Sequence, residues 1–241
     1  MFRKYCILIT ATIDPGNAPN VARSDIKARE EDYYQALFMY STLEIPIVFC
    51  ENSNYPSKRL RDICYSNQRN IEFLGFESRR SHLGKGHGEK EIFDYAFAHS
   101  DFINNCEYVI KVTGRLFVAN LKRMITKIED ESFMVSGNFV RNLTWVDTRF
   151  FIVKRVFYID YFEPILAKYL NEPGKTYIEH CLAMAIHLAM SEGGRFIPLP
   201  AYPIYKGINA TNNQRYDRGL YVRFKYKIYY YVKLYVFRQS I

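Results

Sequence analysis

Apolar runs alternate with amphipathic stretches through the first half of the chain. Four runs rich in β-branched and aromatic residues predict strands, at 4–13, 45–50, 71–76 and 108–114. Three stretches between them have apolar residues at helical spacing, at 29–43, 58–66 and 90–103. Ser57 is placed to cap the second of these helices. Strands that alternate with helices indicate a parallel sheet with right-handed crossovers, so the predicted class is α/β with a Rossmann-like sheet flanked by helices.

The second half of the chain has a different pattern. Segments 132–140 and 148–159 predict longer, half-exposed strands that would make the sheet mixed but still mainly parallel. Segments 163–171 and 176–191 predict helices, the second ended by two glycines. The segment 196–207 contains several prolines and predicts extended chain. We expect one domain over residues 1–205, followed by a basic, aromatic C-terminal segment over 206–241.

The composition fits a folded α/β protein. The 241 residues are 49% hydrophobic, enough for one core, and they contain no low-complexity linker or internal repeat. Five scattered cysteines predict buried free thiols in a reducing compartment. The basic start and short apolar run imitate a signal peptide, but Asp14-Pro15 ends the run and favours a first buried strand. No apolar run approaches the roughly 20 residues that a membrane span needs, so we expect a cytoplasmic protein.

The net charge of +8 is concentrated at the C-terminal end. Residues 215–241 contain seven basic residues and one acidic residue, whereas the preceding residues contain 26 and 24. A nearly neutral body argues against a protein whose whole surface binds nucleic acid. The tail interleaves bases with aromatic residues, and as a helix it would carry an apolar stripe of Tyr221, Phe224, Ile228, Tyr231 and Tyr235. This pattern favours attachment to an anionic membrane surface; a protein partner or oligomer contact, and single-stranded nucleic acid, are the alternatives.

Polar residues follow each of the first four predicted strands. Ligands of a doubly wound sheet bind beyond the carboxyl ends of its strands, so these residues predict one shared site. They are Thr12 and Asp14, then Glu51, Asn52 and Ser53, then the GKGHGE loop with Lys85 and Gly86, then Lys111, Thr113, Gly114 and Arg115. The long loop after the first strand adds Arg23, Asp25 and Arg29 to Asp14 as candidates, although helix capping by Ser24 or Asp25 and i,i+4 charge pairs explain about half of these four. Asp147, Arg149 and the only tryptophan, Trp145, are candidates for a sugar-binding surface.

This layout resembles the GT-A glycosyltransferases, and the K-x-TGR segment at 111–115 resembles that of bacterial capsule and lipopolysaccharide glycosyltransferases. The resemblance implies a GT-A-like fold over about residues 4–205. It implies that Glu51, Asn52 and Ser53 stand at the nucleoside-binding turn, and that the helix after the GKGHGE loop contacts the donor. Glu179 falls at the place of an acidic catalytic base, which deprotonates the acceptor hydroxyl.

The chain departs from that family at the end of the fourth strand. The family has Asp-x-Asp there, which binds a divalent metal, whereas VIKVTGRLF (109–117) has no acid. The leaving diphosphate gains negative charge as the glycosidic bond breaks, and lysine and arginine can stabilise that charge directly. We therefore predict a metal-independent site in which Lys111, Arg115 and Lys85 contact phosphate. Lys111, Thr113 and Arg115 would share one face if the strand continued through Gly114. The alternative is an ordinary pair of charges at a strand end.

Together these patterns predict a glycosyltransferase, slightly favoured as inverting, at the inner face of the cytoplasmic membrane. It would transfer a sugar from a nucleotide-sugar co-substrate to a lipid-linked glycan, without another cofactor. The predicted catalytic residues are Glu179, Arg115 and Lys111. The predicted nucleotide-sugar ligands are Thr12, Asp14, Arg23, Asp25, Glu51, Asn52, Ser53, Lys85, Gly86, Thr113 and Gly114. The predicted acceptor ligands are Trp145, Asp147 and Arg149. A catalytically silent scaffold of the same fold and a nucleic-acid-binding module are the alternatives.

Overall fold

A seven-stranded, mostly parallel sheet forms the centre of the molecule. The computed structural model describes residues 4–16, 18–19, 21–67, 70–209, 213–216, 224, 228, 230–232 and 235. Its strands are β1 (Tyr5–Ala11), β2 (Ile47–Glu51), β3 (Ile71–Gly75), β4 (Tyr108–Thr113), β5 (Leu116–Val118), β6 (Val135–Gly137), β7 (Phe139–Val140), β8 (Trp145–Val146), β9 (Phe150–Lys154), β10 (Phe196–Pro198) and β11 (Tyr205–Gly207).

Helices cover both faces of the sheet. They are α1 (Ile26–Ser41), α2 (Lys58–Ser66), α3 (Lys85–His99), α4 (Asp101–Asn104), α5 (Leu121–Ile128), α6 (Arg155–Phe157), α7 (Glu163–Tyr169) and α8 (Ile178–Ser191). A π-helical turn, Tyr158–Phe162, joins α6 to α7, and a 3₁₀ turn, Ser81–Leu83, precedes α3. Ser57 caps α2 by accepting a hydrogen bond from the Leu60 amide, as the sequence predicts.

The strand order of the sheet is β3-β2-β1-β4-β9-β6-β10. Only β9 runs antiparallel to its neighbours; two small antiparallel pairs, β5 with β11 and β7 with β8, lie beside the sheet. Every residue of β1 is buried, and its side chains alternate between two cores: Ile7 and Ile9 pack in one, Cys6 and Leu8 in the other. The prediction of a mixed, mainly parallel, Rossmann-like sheet flanked by helices is confirmed.

The second half of the chain differs from its predicted elements. The segment predicted as a strand over 148–159 leaves the sheet after Lys154 and becomes helical. The helical course buries Tyr158, Phe162 and Leu166, spaced four residues apart, and the first two contact Phe93 of α3. The segment 132–140 forms the two short strands β6 and β7, which are mostly buried instead of half-exposed.

The predicted boundary between residues 205 and 206 falls inside β11, which pairs with β5. Beyond it, Tyr216 packs partly buried against the first core, and Tyr230 is buried within it. The Tyr230 hydroxyl donates a hydrogen bond to the Leu199 carbonyl at 2.7 Å. Most of the predicted tail helix lies outside the described residues, so the division into two domains stays a prediction.

All five cysteines are buried and free, as predicted. Across the described part of the chain, no helix is both long enough and apolar enough to cross a membrane.

Candidate active site

A cavity of about 950 Å³ opens at the carboxyl ends of β1 and β4, and its volume is typical of a small-molecule site. Within the sheet, β2 is the neighbour of β1 on one side and β4 is its neighbour on the other, so the chain reverses its direction of progress across the sheet at β1. This reversal creates the crevice in which open α/β sheets bind ligands. Thr10, Thr12 and Thr113 lie at this edge and line the cavity.

Three basic residues of the cavity lining interact electrostatically, namely Arg29, Lys85 and Arg115, and we call these three residues the basic wall. Burial lowers the pKa of Lys85, and the nearby positive charges of Arg115 and Arg29 lower it further, more than Glu172 and Glu179 offset. Lys85 therefore experiences a positive potential from its neighbours. The like charges are close enough to repel one another, which favours an anionic ligand at this wall.

Arg115 reaches the basic wall by a turn. β4 ends at Thr113, so the strand does not continue through Gly114 as the sequence-based argument for one shared face required. A Cβ on Gly114 would lie 2.6 Å from the Thr10 carbonyl oxygen, so the close approach of the turn to β1 requires glycine. Arg115 donates from Nη1 to the Ile208 carbonyl at 3.0 Å, while its buried Nε has no hydrogen-bond partner among the described residues.

Arg29 is the third cation of the basic wall, and its side chain is held by backbone carbonyls. Only 4% of the residue is exposed, and it donates hydrogen bonds to the carbonyls of Thr12, Ile13 and Arg23. These bonds fix the start of the long loop after β1. Arg29 therefore contributes charge to the basic wall while its hydrogen-bonding groups position the loop.

A second group, which we call the carboxylate network, consists of Glu89, Lys111, Thr148 and Glu179. The Lys111 side chain is fully buried, and its ammonium pairs with Glu89 and donates to the Thr148 carbonyl. It also donates to the Thr113 hydroxyl at 3.3 Å. Lys111 therefore lies behind the cavity lining, where its charge is already paired. The structure does not place it beside Arg115, and its predicted contact with phosphate would have to compete with Glu89.

Glu179 faces the cavity from the first turn of α8. It accepts a hydrogen bond from the Thr148 hydroxyl at 3.2 Å. Burial raises its pKa above the ordinary value, and the charge of Glu89 adds to that rise, while Thr148 and Lys111 oppose it. A carboxylate with a raised pKa is a stronger proton acceptor, which is a property of a general base.

The GKGHGE loop contains the first turn of α3, since the helix begins at Lys85. The Gly86 amide donates to the Glu172 carboxylate, and a Cβ on Gly84 would collide with that carboxylate. Gly84 also has a φ of 146°, a conformation that side chains disfavour. Glu172 thus fills the concavity at the helix N-terminus and completes this part of the lining.

Glu51 organises the loops that follow β1 and β2. Its buried carboxylate accepts hydrogen bonds from the amides of Ile13 at 3.0 Å, Ser53 at 2.9 Å and Tyr55 at 3.2 Å. Burial raises its pKa above the ordinary value. Glu51 and Ser53 do not line the cavity, whereas Asn52 does, accepting a hydrogen bond from the Thr12 hydroxyl at 2.6 Å. The predicted nucleoside contact of Glu51 would require this hydrogen-bond network to change.

Six predicted nucleotide-sugar ligands do not line the cavity: Glu51 and Ser53, Gly114 in the turn after β4, and Asp14, Arg23 and Asp25. Asp14 is exposed and accepts a hydrogen bond from the Gly16 amide at 2.8 Å. Arg23 pairs with Asp32, and Asp25 caps α1 through the Ala28 amide. The capping and charge-pairing alternative accounts for the contacts of Arg23 and Asp25 in the structure.

All three predicted acceptor residues line the same cavity. Arg149 donates to Asp147 through Nε at 2.8 Å and through Nη2 at 2.5 Å. Its guanidinium lies over the rings of Tyr205 and Tyr216, at 4.8 and 5.3 Å from their centroids. Trp145 is half-buried beside His180, with ring centroids 4.7 Å apart.

Within the described part of the chain, no group of three or more histidine, cysteine, aspartate or glutamate side chains is arranged to hold a metal ion. The end of β4 presents Thr113 and Arg115 to the cavity. An amine or guanidinium is not a ligand for a hard divalent cation, so the residues present do not fit the metal that the GT-A family binds there.

No protein-family model matches the chain. No curated protein sequence matches it either. Its fold is similar to several solved structures, which include TarS 1–349 from S. aureus, a cytidylyltransferase from Leptospira borgpetersenii and core-mannan synthase A from Aspergillus fumigatus in an Mn/GDP form.

The TarS chain is 12% identical with a TM-score of 0.48, over 84% of this chain and 59% of that one. The cytidylyltransferase is 16% identical with a TM-score of 0.45, over 89% and 78%. The synthase is 9% identical with a TM-score of 0.48, over 91% and 82%. Similarity at this level does not assign a family, so the functional inference depends on the geometry of the site.

Several residues of the site are not candidates from sequence. Arg141, Glu172, Tyr177 and Tyr230 line the cavity, although none of them follows one of the first four predicted strands. Glu89 has a weak signal: it lies one turn into the helix that follows the glycine-bearing loop, where the sequence suggests only an acid favoured by the helix dipole. No pattern predicts its pairing with Lys111, because the two lie on different elements.

Proposed function

We propose that this chain is a nucleotide-sugar-dependent glycosyltransferase with a GT-A-like fold, which transfers a sugar to a hydroxyl of a bacterial surface glycan. The observation that carries the proposal is the pairing of two features in one cavity at the carboxyl edge of the sheet. The basic wall favours an anionic donor, and Glu179 of the carboxylate network is suited to accept a proton.

On the donor side, Arg115 and Lys85 bind the diphosphate. The arginine fork suits two phosphate oxygens, and the lysine adds a compact charge. Because both cations are fixed by the fold, they stabilise the charge that develops on the leaving oxygen without a metal ion. The proposal therefore includes metal independence, supported by Arg115 after the end of β4 and Lys85 at the start of α3. Thr12, Asn52 and Thr113 lie on the same edge and suit polar contacts to the donor.

On the acceptor side, Glu179 accepts the proton of the attacking hydroxyl. The acceptor oxygen forms a bond to the anomeric carbon as the bond from that carbon to the phosphate oxygen breaks. The nucleoside diphosphate leaves as an anion at the basic wall, and Glu179 retains the proton until solvent removes it. A single displacement of this kind inverts the anomeric centre, which is the stereochemistry that we propose.

Lys111 and Glu89 serve this reaction as positioning residues. Their buried ion pair holds the Thr148 carbonyl, and the Thr148 hydroxyl contacts Glu179. Lys111 therefore acts on the base through Thr148 in this proposal. This is a different role from the phosphate contact that the sequence predicts, and it follows from the burial of its side chain.

We further propose that the acceptor is lipid-linked and that the tail holds the enzyme at the inner face of the cytoplasmic membrane. Support comes from described tail residues at helical spacing that are exposed: Phe224 is 63% exposed, Ile228 49% and Tyr235 68%. Exposed apolar side chains among basic residues suit an anionic lipid surface. Replacing Phe224 and Ile228 with glutamate should abolish sedimentation with anionic vesicles; unchanged sedimentation would contradict this part.

The test of the enzymatic proposal is turnover of UDP-, GDP-, CDP- and dTDP-sugars, measured as release of the nucleotide with bacterial glycolipid extracts as acceptors. We expect one nucleotide class to be consumed, equally in EDTA and in Mn²⁺. Arg115→Gln should lose this activity, while Arg123→Gln, on the exposed face of α5, should keep it. Absence of turnover together with absence of nucleotide binding would favour the scaffold alternative.

A further inference from the structure

The turn between β7 and β8 holds an arginine at the mouth of the cavity. Three consecutive residues of this turn have left-handed backbone: Arg141 with φ 51°, Asn142 with 54° and Leu143 with 65°. Left-handed backbone is unfavourable for residues other than glycine, and residues held in it cluster at ligand-binding sites. The Thr144 hydroxyl donates to the Arg141 carbonyl at 2.7 Å, and a His187 ring nitrogen contacts the Leu143 carbonyl at 2.9 Å, which fixes the turn.

The turn places the Arg141 side chain against Trp145. The guanidinium carbon lies 4.2 Å from the centroid of the indole ring. Tyr177 and His180 pack beside the same indole, with ring centroids 5.8 and 4.7 Å from it. We call Arg141, Trp145, Tyr177 and His180 the aromatic platform. A guanidinium stacked on an aromatic ring keeps its N–H edge available for hydrogen bonds, so the platform presents donors in a fixed plane.

Arg141 differs from the other arginine of this region in its charge balance. Arg149 is neutralised by Asp147 through two hydrogen bonds. Among the described residues, no carboxylate forms an ion pair with Arg141, and its side chain is exposed. The fold thus positions this cation and leaves its charge available to a ligand.

The platform lies on the Glu179 side of the cavity. His180 follows Glu179 on α8, and Arg141, Trp145 and Tyr177 all line the cavity that Glu179 faces. A group bound on the platform is therefore adjacent to the proposed base, which is the acceptor side of the reaction. Aromatic rings suit the apolar face of a pyranose, and the arginine fork suits a carboxylate or a phosphate.

We propose that the aromatic platform is a subsite for an anionic sugar unit of the acceptor, with Arg141 binding its carboxylate or phosphate group. This inference rests on the proposed function, because the bound sugar is the acceptor of that reaction. It adds to the proposed function the chemical class of the acceptor. The aromatic platform would bind an acidic glycan more tightly than a neutral glycan of the same shape, because a neutral glycan would leave Arg141 without a partner.

The chain has one tryptophan, and it lies in the platform, so its fluorescence reports binding there directly. The full chain is titrated at constant ionic strength with methyl glucuronide, with methyl glucoside 6-phosphate and with neutral methyl glucoside. We expect an acidic sugar to change Trp145 emission with a dissociation constant about 10–100-fold lower than that of the neutral sugar, as for a charge-assisted hydrogen bond. The stronger of the two acidic probes identifies which anion the subsite takes.

Arg141→Gln should remove the preference for the acidic sugar while leaving the weak neutral binding in place. Arg141→Lys should retain part of it, because lysine keeps the charge and loses the planar fork. Arg123→Gln is the matched control and should behave as the parent chain. Equal binding of acidic and neutral sugars, no response to either, or an unchanged preference in Arg141→Gln would overturn the subsite.

The titration uses no nucleotide, so its outcome is separate from that of the enzymatic proposal. A specific response to acidic sugars in a chain that consumes no nucleotide sugar would overturn the glycosyltransferase and support an acidic-glycan binding site. Turnover with neutral acceptors alone would support the glycosyltransferase and overturn the subsite.

Discussion

The basic wall and the carboxylate network lie at the same cavity, which the network lines through Glu89, Thr148 and Glu179, and the two groups differ in how their charges are paired. In the carboxylate network, Lys111 is paired with Glu89 inside the fold, and Glu179 has the Thr148 hydroxyl as a partner. On the basic wall, Arg115 forms no ion pair with a described residue, and like charges lower the pKa of Lys85.

This difference separates the charge of Lys111, which is paired within the fold, from the charge of Arg115, which has no carboxylate partner among the described residues. An ion pair that is buried and complete stabilises its surroundings only while both partners remain. Cations gathered in a cavity repel one another until an anion binds. The carboxylate network should therefore respond to substitution mainly through stability and base strength, and the basic wall mainly through ligand affinity.

The largest effect is expected for the proposed base. Glu179→Gln should lower the turnover number by about 100–10,000-fold, because a general base contributes that much, while nucleotide affinity stays unchanged. Glu192→Gln, at the exposed end of the same helix, is the control. The pH dependence follows from the raised pKa of Glu179: the base is active only when deprotonated, so the parent rate should fall as pH drops through that raised value. A variant with normal turnover would exclude Glu179 as the base.

The next largest effect is expected when the ion pair between Lys111 and Glu89 is broken. Lys111→Met leaves the Glu89 carboxylate without its partner and should lower the free energy of unfolding by about 3–5 kcal/mol, measured by urea denaturation. The double variant Lys111→Met/Glu89→Gln removes both charges and should recover most of that loss. Strictly additive losses would show that the two residues do not interact. A Lys111→Met variant with normal stability and weaker nucleotide binding would instead favour the phosphate contact predicted from sequence.

A smaller effect on stability is expected for substitution of Glu51. Stability and nucleotide affinity together show whether this residue organises the loops or binds the nucleoside. Glu51→Gln would place an amide NH₂ among backbone N–H donors and should lower the free energy of unfolding by about 1–3 kcal/mol. Glu44→Gln, at an exposed position just after α1, should shift it by about 0.5 kcal/mol or less. Calorimetric titration of the folded variant should show nucleotide affinity within about twofold of the parent chain. A large loss of affinity in a stable variant would restore the predicted nucleoside contact.

The smallest effect concerns the pH dependence of the basic wall. Lys85 binds an anion as the protonated ammonium, and its pKa is lowered, so nucleoside diphosphate affinity should fall as pH rises from 7 toward 10. The terminal phosphate, with a second pKa of about 6, only gains negative charge as pH rises above 7, which would strengthen binding, so a fall in affinity belongs to the protein. We expect the affinity to fall by about tenfold for each unit by which the bound anion raises the pKa of Lys85. The Lys85→Met variant should bind the nucleoside diphosphate more weakly than the parent chain at pH 7, and its affinity should stay constant across the range. If the affinity of this variant fell in parallel with that of the parent chain, the pH dependence would belong to another group.

The half of the fold built on β1 to β4 follows from sequence because each strand there is a mainly apolar run, interrupted by a charged residue only at Glu72 in β3 and Lys111 in β4, and is followed by polar residues. β9 is different: its apolar run continues into the helical segment that contains Phe157 and Tyr158, and local pattern does not reveal where the strand ends. Packing against Phe93, which is distant in sequence, decides that boundary. The short strand β5 is absent from the prediction, and so is α5, although Leu121, Met124, Ile125 and Ile128 of α5 stand at helical spacing that the sequence displays.

The site divides along the same line. The strand ends place Thr12, Asn52, Thr113 and Arg115 at one edge of the sheet, and all four line the cavity, because the carboxyl ends of parallel strands meet there. The sequence also places Lys111 near that edge, but strand alternation alone does not show that Glu89 would hold its ammonium behind the lining. Arg141 and Glu172 lie on turns whose positions depend on the assembled fold, so no local pattern identifies them.

The most direct test of the charge on the basic wall is calorimetric titration of the chain in EDTA with UDP, GDP, CDP and dTDP, each beside its uncharged nucleoside. One diphosphate should bind at least about tenfold more tightly than its nucleoside, and Arg115→Gln should remove that difference while Arg123→Gln keeps it. Equal binding of diphosphate and nucleoside, or a preference that appears only with Mn²⁺, would contradict a basic wall that binds phosphate without a metal.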